Sequence, residues 1–280
     1  MDLFLRFPGF RSHALTLSYD DAPIFDRRLI EIMSKYGIKG TFNVNSGREV
    51  DLTDPSRRNM SVGEIVPLLR ESGNELAVHG AKHLHLSGIP LVEAMRDVVD
   101  DRVALEDAWG APVRGMAYAF GAYSDAVVSM LAEAGIRYAR TVKATHSFAI
   151  PEDFLRLHPT CHHKDERLLE LCDEFFAPGR GGSRYWCNPP RLFYLWGHSY
   201  EFNDDNNWQI IEEFCKKMGK RENVWYATNI EVYDYVTAFR SLEWSMNGKS
   251  VYNPSATDVC LCYYDKNVLA RAGEITSLVD

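Results

Sequence analysis

Short apolar runs alternate with amphipathic stretches along most of this chain. The runs predicted to be strands cover residues 14–19, 39–44, 75–78, 115–120, 137–141, 192–196 and 224–227. The stretches with helical periodicity cover residues 24–36, 61–72, 90–109, 124–134, 165–176, 208–218 and 229–241. Repeated strand–helix units predict an α/β fold with parallel strands and helices outside them, in an open sheet or a barrel.

The length of the chain and the end of this alternation define the predicted domain organisation. A single α/β barrel takes about 250 residues, and we find no linker or internal repeat that would divide these 280 residues. We therefore expect one domain over residues 1–280, with its core over residues 12–240. Residues 241–280 are expected to form a short C-terminal β extension, because residues 250–264 have the pattern of two short strands.

The charge balance restricts the partners that the chain can bind. Lys and Arg number 31 against 39 Asp and Glu, which gives a formal net charge of -8. This excess of negative charge argues against a nucleic acid or an anionic membrane held by bulk charge. It allows a neutral sugar. The sequence does not predict the oligomeric state.

Targeting and cysteine patterns favour a reducing compartment. No stretch approaches the ~20 apolar residues of a membrane span, and the start lacks a basic region followed by a long apolar core. We therefore expect a cytoplasmic protein, or a secreted one if a leader has been removed. The six cysteines have no C-x-x-C spacing, so we expect free buried thiols.

Polar side chains follow three of the predicted strands at their carboxyl ends. Asp20 and Asp21 end the first strand, His79 follows the third, and His198 follows the strand over residues 192–196. In a parallel α/β fold these ends form the face that carries the active site. The sequence therefore predicts that a carboxylate pair and two imidazoles meet there.

A second histidine completes a candidate metal site. His83 lies four residues after His79, so on a helical turn both imidazoles would face the same way. With Asp21 they make an Asp–His–His set, which Zn²⁺ accepts at about 2.0–2.2 Å with positions left open. Co²⁺, Ni²⁺ or Fe²⁺ would also accept it. Asp20 would then be a general base for a metal-activated water. The alternative is that His79 and His83 are ordinary surface residues.

Three further histidines are expected outside the site. His85 is expected at the surface or behind the ligands. His162 and His163 are adjacent, and adjacent side chains usually point apart, so both cannot easily bind one metal. We expect them in a loop, where one could line the cleft.

These motifs resemble the polysaccharide deacetylases with NodB homology, the family-four carbohydrate esterases. The resemblance covers residues 12–240. Four segments carry it in order: residues 18–22 (SYDDA) for T-F-D-D-G, residues 79–86 (HGAKHLHL) for H-[ST]-x-x-H-P-x-L, residues 118–121 (YAFG) for Y-P-[YF]-G, and residues 192–198 for a strand that ends at a histidine.

The resemblance implies a deformed (β/α) barrel that removes acetyl groups from sugars by hydrolysis. It implies that Asp20 is the general base, that His198 is the acid, and that the backbone N–H near Phe120 stabilises the oxyanion. It assigns metal binding to the Asp–His–His set, with zinc as the first choice. The partner would be an acetylated sugar or glycan.

The chain departs from the family pattern at several positions. Gly80, Ala22 and Ala119 replace a Ser or Thr, a glycine and a proline, respectively. The arginine that normally tethers the base aligns with Ala117, and Arg114 is the candidate to replace it.

Three further residues are expected to bind substrate. They are Tyr118, Trp196 and Glu201. Trp196 belongs to a group of late aromatic residues that would suit sugar rings or serve as core anchors. Glu201 could bind a substrate hydroxyl or form a salt bridge at the mouth of the cleft.

The residues leave several functions open beside N-deacetylation. The same metal, base and acid could hydrolyse O-acetyl esters. A metal-free relative of the allantoinase type would cleave C–N bonds, but it predicts loss of the ligand set. An inactive carbohydrate-binding relative would have its ligands out of coordination range.

Overall fold

A computed structural model describes residues 3–177, 189–264 and 266–279. Its strands are β1 (Leu3–Arg6), β2 (His13–Asp20), β3 (Thr41–Val44), β4 (Glu75–Val78), β5 (Gly115–Ala117), β6 (Tyr138–Arg140), β7 (Cys161–His162), β8 (Arg191–Gly197), β9 (Val224–Tyr226), β10 (Glu243–Trp244), β11 (Ser250–Tyr252), β12 (Val259–Tyr263), β13 (Lys266–Ala270) and β14 (Ile275–Ser277). Its helices are α1 (Asp26–Lys35), α2 (Val62–Ser72), α3 (Leu91–Trp109), α4 (Asp125–Glu133), α5 (Leu168–Phe176), α6 (Ser199–Asp204), α7 (Gln209–Met218) and α8 (Asn229–Arg240).

One parallel sheet organises the fold. Its strands lie in the order β6-β5-β4-β3-β2-β8-β7, and β9 pairs with the first residues of β2. All of these pairings are parallel. The curled sheet with helices around it is the deformed (β/α) barrel that the sequence predicted. Parallel strands bring their carboxyl ends to one rim, which is where the polar residues of the motifs lie.

Amphipathic periodicity places the helices against the sheet. Helix α7 buries Ile211, Phe214, Cys215 and Met218, which recur every three or four residues and so lie on one face. Helix α2 begins at the predicted capping box, in which the Ser61 N–H donates to the Glu64 carboxylate at 3.0 Å. The capping box thus fixes where α2 begins, and the apolar periodicity fixes which face of α7 is buried.

Two small antiparallel sheets lie beside the barrel. The predicted C-terminal β addition is present, as strands β10 to β14. Strands β10, β11 and β14 form one three-stranded sheet, while β12 and β13 form another with the N-terminal strand β1. The pairing of β1 with β12 joins the two ends of the described chain, which local sequence patterns did not predict. The expected single domain over residues 1–280 stays a prediction.

The expectation of free thiols holds for four cysteines and is wrong for one. Cys161, Cys172, Cys215 and Cys260 are free and buried. Cys262 is disulfide-bonded. Cys187 lies outside the described residues. Within the ranges that the structure describes, no helix is long and apolar enough to cross a membrane.

A buried polar contact ties β4 to β6 across β5. Tyr138 donates its hydroxyl hydrogen to the Glu75 carboxylate at 2.7 Å, and both residues are buried. Gly115 on β5 pairs with Tyr138, and a Cβ at this glycine would lie 2.1 Å from the tyrosine ring. Only glycine leaves room for the ring to cross the middle strand.

Removing this hydroxyl should destabilise the barrel. We expect Tyr138→Phe to lower the free energy of unfolding by about 1–3 kcal/mol, because a buried carboxylate oxygen loses its donor. Urea unfolding at pH 7 measures the change. Tyr252→Phe, at a partly exposed position, is the control, and an equal midpoint for both variants would contradict the role given to this contact.

Candidate active site

Four strands bring their last or next residue to one rim of the sheet. Asp20 ends β2, His79 follows β4, Arg140 ends β6, and His198 follows β8. The Nε2 atoms of His79 and His198 each lie 3.8 Å from the same Oδ2 atom of Asp20. The predicted convergence of the Asp pair and the two imidazoles is therefore present in the structure.

Asp20 is a buried carboxylate that is held on both oxygens. It is 2% exposed. The Asn43 side-chain amide donates to Oδ1 at 2.8 Å, and the Arg140 guanidinium donates to Oδ2. Burial alone would raise the pKa of Asp20, but the positive charge of Arg140, with His79 and His198, lowers the pKa below its ordinary value. Asp20 is therefore ionised at neutral pH and can accept a proton.

Arg140 is the residue that the sequence analysis missed. Its side chain is fully buried, and its guanidinium stacks over the Trp196 ring at 4.3 Å from the centroid. In the pairing of β5 with β6, Arg140 lies opposite Ala117, the position at which the family pattern has its arginine. The neighbouring strand thus supplies the guanidinium. The sequence feature that could have identified it is the charged residue at the end of the short strand YAR.

Asp21, His79 and His83 form a candidate metal centre. Their ligand atoms all lie within 4.8 Å of one another. A turn brings the two imidazoles together, not the helical turn that we expected: His79 follows β4, residues 81–82 form a turn, and His83 has φ 54°. The ring centroids of the two histidines are 4.8 Å apart.

The hydrogen bonds around His79 suit a metal ligand. Its Nδ1 lies 2.9 Å from the Ala117 carbonyl oxygen, which can only accept. Nδ1 therefore carries the hydrogen, and the Nε2 lone pair faces the cluster. The His79 backbone N–H also donates to Asp101 at 3.0 Å. Burial, with the neighbouring His79, lowers the pKa of His83, which favours the neutral form that binds metals. The three residues fit a divalent cation.

The backbone of this rim adopts unfavourable conformations. Asp21, Ala22, His83 and Phe120 all have positive φ, at 76°, 47°, 54° and 58°. Residues other than glycine rarely adopt these angles, and such strain clusters at functional sites. At position 22 the glycine of the family motif would fit this backbone without the strain.

Glu201 holds His198 in place. Its Oε2 lies 3.2 Å from the His198 Nδ1 and accepts the His198 backbone N–H at 3.3 Å. The Nδ1 hydrogen therefore points to the carboxylate, and Nε2 faces Asp20. Burial lowers the pKa of His198, but the hydrogen bond to Glu201 and the charge of Asp20 outweigh it and raise the pKa above its usual value. His198 can carry a proton near neutral pH.

A second histidine cluster surrounds the same glutamate. The Nε2 atoms of His162 and His163 each lie 3.2 Å from Glu201 Oε2. The expectation that these adjacent rings point apart is wrong, because the chain turns after β7 and the ring centroids are 4.4 Å apart. Burial opposes ionisation of Glu201, but the three histidines lower its pKa well below the usual range.

Hydrogen bonding makes this second cluster a poor metal site. The Nδ1 of His162 accepts the Lys164 backbone N–H at 3.1 Å. Its Nε2 must then carry the ring hydrogen and has no lone pair for an ion. Of the two clusters, the Asp21 set is the one suited to a metal.

Comparison with known proteins agrees with this geometry. Residues 9–139 match the family model described as polysaccharide deacetylase. The matched residues hold three of the four motifs, those at residues 18–22, 79–86 and 118–121. The resemblance predicted from the four motifs is therefore confirmed. A comparison with curated proteins finds no match.

Solved structures share the polysaccharide deacetylase fold. A putative polysaccharide deacetylase from Mycobacterium smegmatis is 18% identical, with TM-score 0.58, over 84% of this chain and 94% of that one. A family 4 carbohydrate esterase from Streptomyces lividans in complex with acetate is 12% identical, with TM-score 0.51, over 78% and 93%. The chain covers 62% of the Streptococcus pyogenes deacetylase PplD, with 50% of its own length, 20% identity and TM-score 0.44. At these identities the likeness to the first two structures shows the fold alone.

Two of the predicted site residues lie away from the polysaccharide deacetylase cleft. Arg114 pairs with Asp234 at 2.7 Å and lies before β5, at the opposite end of that strand from the site, so it cannot tether Asp20. Tyr118 is 1% exposed, and its hydroxyl donates to the Leu155 carbonyl at 2.8 Å. It is a core residue and does not face a substrate.

The other predicted residues lie at the cleft with altered roles. Trp196 is 9% exposed and has Arg140 stacked on its ring, so it supports the arginine and is not an open sugar platform. Glu201 forms the salt bridge that was the alternative to binding a hydroxyl. The Phe120 ring is 65% exposed and lies 4.5 Å from the His83 ring. The role of its backbone N–H stays a prediction.

The two histidine clusters are expected to differ in metal binding. We expect the protein to bind one Zn²⁺ per chain in a titration against a chelating indicator. His83→Ala should abolish this binding because it removes a ligand, whereas the matched variant His162→Ala should retain it. Two ions per chain, or loss of zinc in His162→Ala, would contradict the assignment.

Proposed function

We propose that this chain is a metal-dependent hydrolase that removes acetyl groups from carbohydrates. One observation carries the proposal: a candidate metal set, with its ligand atoms within 4.8 Å of one another, lies at the same rim of the sheet as the Asp20–His198 pair, whose side chains are 3.8 Å apart. Hydrolysis of an acetamide needs an activated water, a base and an acid. The described rim offers side chains suited to each of these tasks.

Asp21, His79 and His83 would hold the metal. When bound, a divalent cation polarises the acetyl carbonyl and lowers the pKa of a water molecule. Asp20 lies beside these ligands and accepts the proton of the attacking water. Arg140 keeps Asp20 ionised and fixes its orientation, so the carboxylate is ready before substrate binds.

His198 supplies the proton to the leaving group. Burial lowers the pKa of this ring, but Glu201 and Asp20 raise it above its usual value, which favours the protonated form. Glu201 holds Nδ1–H and so prevents the ring from turning. The backbone N–H near Phe120 is proposed to donate to the oxyanion, where one well-placed donor is worth roughly 2.7–4 kcal/mol.

Ester hydrolysis is the second candidate for the same groups. The Streptomyces lividans structure is described as a carbohydrate esterase in complex with acetate, and it shares the fold of this chain. The water, base and acid serve an O-acetyl ester equally well. A metal-free C–N hydrolase is less favoured, because it predicts loss of the Asp–His–His set. A non-catalytic binding protein is also less favoured, because it predicts that the ligands lie out of coordination range.

Acetate release from a panel of N- and O-acetylated sugars tests the proposal. We expect release by the purified protein, loss after treatment with a chelator, and recovery when Zn²⁺ or Co²⁺ is added back. The panel also separates amide from ester hydrolysis. Unchanged release after complete metal removal, or no release from any sugar, would contradict the proposal.

Arg140 provides a sharper test with a matched control. We expect Arg140→Lys to lower kcat/KM at least tenfold, because lysine keeps the charge but cannot hold the Asp20 carboxylate with a planar guanidinium. Arg114→Lys, which changes the arginine first suggested by sequence, should retain activity. Equal activity of both variants would show that the buried arginine does not position the base, and thermal melts check that each variant is folded.

The Glu201 carboxylate should set the alkaline limb of the pH profile. Its charge raises the pKa of His198, and an acid must be protonated to act, so activity is present below that pKa and falls as pH rises through it. We expect Glu201→Gln to move the alkaline limb of kcat/KM to lower pH. Glu213→Gln, on the exposed face of α7, is the control. An unmoved limb would exclude His198 as the acid that Glu201 tunes.

A further inference from the structure

A small space adjoins Asp21, one of the three candidate metal ligands. It is a cavity of about 270 Å³ whose polar lining includes Asp21, Arg48, Arg58, Asn59, Tyr200 and Asp204. Typical ligand pockets measure roughly 300–1,000 Å³, so this one suits a single ring and not an extended chain. Pro23 completes the lining.

The cavity is positioned to hold the part of a substrate next to the reacting bond. Asp21, a candidate metal ligand, forms one side. Tyr200 forms another, and its ring lies 5.1 Å from the ring of His198, the proposed acid. A ring bound in the cavity would thus lie between the metal ligands and the acid, beside the acetyl group under attack.

Arg48 offers hydrogen-bond donors to this space. Its Nη2 lies 3.1 Å from Asp21 Oδ1, the same oxygen that lies 3.8 Å from the His83 Nε2. Its other hydrogen bonds in the described part of the chain are at 3.4 Å, to the Asp21 carbonyl and to Asn45. A cation on Asp21 would use the oxygen that Arg48 now contacts and would leave this guanidinium in need of an anion.

Arg58 contacts Asp204 through only part of its guanidinium group. One nitrogen, Nη2, makes both contacts to Asp204, at 2.6 and 2.8 Å, instead of the two-nitrogen fork that gives the strongest pairs. The side chains are 53% and 43% exposed, so solvent screens the pair and its net contribution is small. Arg58 therefore retains donors for a ligand.

We propose that this cavity is a subsite for a sugar that carries a carboxylate, bound by Arg48 and Arg58. The inference rests on the proposed deacetylase function and adds the substrate class. The charges of Arg48, Arg58, Asp21 and Asp204 cancel, and a divalent cation on Asp21 adds two positive charges. A carboxylate beside the reacting sugar offsets one of these two positive charges, and planar guanidinium groups match it in shape.

A matched pair of disaccharides tests this subsite. Both contain N-acetylglucosamine; one is linked to glucuronic acid and the other to glucose, so that they differ by one carboxylate. We expect the zinc-loaded protein to deacetylate the acidic disaccharide with at least tenfold higher kcat/KM. Arg58→Gln should lower this acidic-to-neutral ratio about tenfold, the effect of losing one charge-assisted hydrogen bond.

Two further variants control the experiment. Asp204→Asn removes the carboxylate that competes for Arg58 and should raise the ratio. Arg27→Gln changes a similarly exposed arginine on α1, outside the cavity, and should leave the ratio unchanged. A ratio near one, or a ratio that Arg58→Gln does not change, would overturn the subsite while acetate release still supports the proposed function.

Binding separates failure of the subsite from failure of the proposed function. If neither disaccharide releases acetate, calorimetry measures the affinity of the zinc-loaded protein for each. Tighter binding of the acidic disaccharide that Arg58→Gln weakens about tenfold would support the subsite without the reaction. Equal affinities would overturn it.

Discussion

The buried ion pair between Arg140 and Asp20 is the interaction on which the rest of the site depends. Both side chains are almost fully buried, and an isolated charge in such a place is very costly. Each charge therefore requires the other. The pair keeps Asp20 ionised inside the rim, and the surrounding imidazoles are arranged around that fixed negative charge.

The same charge organises two imidazoles with different tasks. His79 has its Nδ1 hydrogen fixed by the Ala117 carbonyl, which leaves Nε2 available as a metal ligand. His198 has its Nδ1 hydrogen fixed by Glu201, which raises the pKa of the ring. In the proposed mechanism, hydrogen-bond partners, and not the residue type, therefore distinguish the ligand His79 from the acid His198.

The fold and the grouping of Asp21, His79 and His83 could be predicted from the sequence because both depend on local patterns. Apolar runs with polar residues at their ends predicted the parallel strands and brought Asp20, Asp21, His79 and His198 to one rim. The backbone turn that brings His79 and His83 together was not predicted. A turn with a residue at positive φ can join two histidines at the same sequence spacing as a helical turn. The strand β1 was missed since its partner β12 lies at the other end of the chain.

Residues that act through tertiary contacts were harder to predict. Position 117 has alanine where the family pattern has arginine. The prediction favoured Arg114, which is close in sequence but lies at the opposite end of that strand. Arg140 reaches Asp20 through cross-strand register, which sequence spacing does not contain. His162 and His163 converge on Glu201 because the chain turns after β7. Adjacent side chains point apart only where both residues lie in an extended strand, so the prediction failed at this turn.

Anomalous diffraction from zinc-soaked crystals tests the central claim most directly. The account predicts one zinc peak, within about 2.0–2.2 Å of ligand atoms of Asp21, His79 and His83, with the Arg140 guanidinium still on Asp20. A zinc peak between His162, His163 and Glu201, or an Arg140 side chain turned away from Asp20, would contradict it.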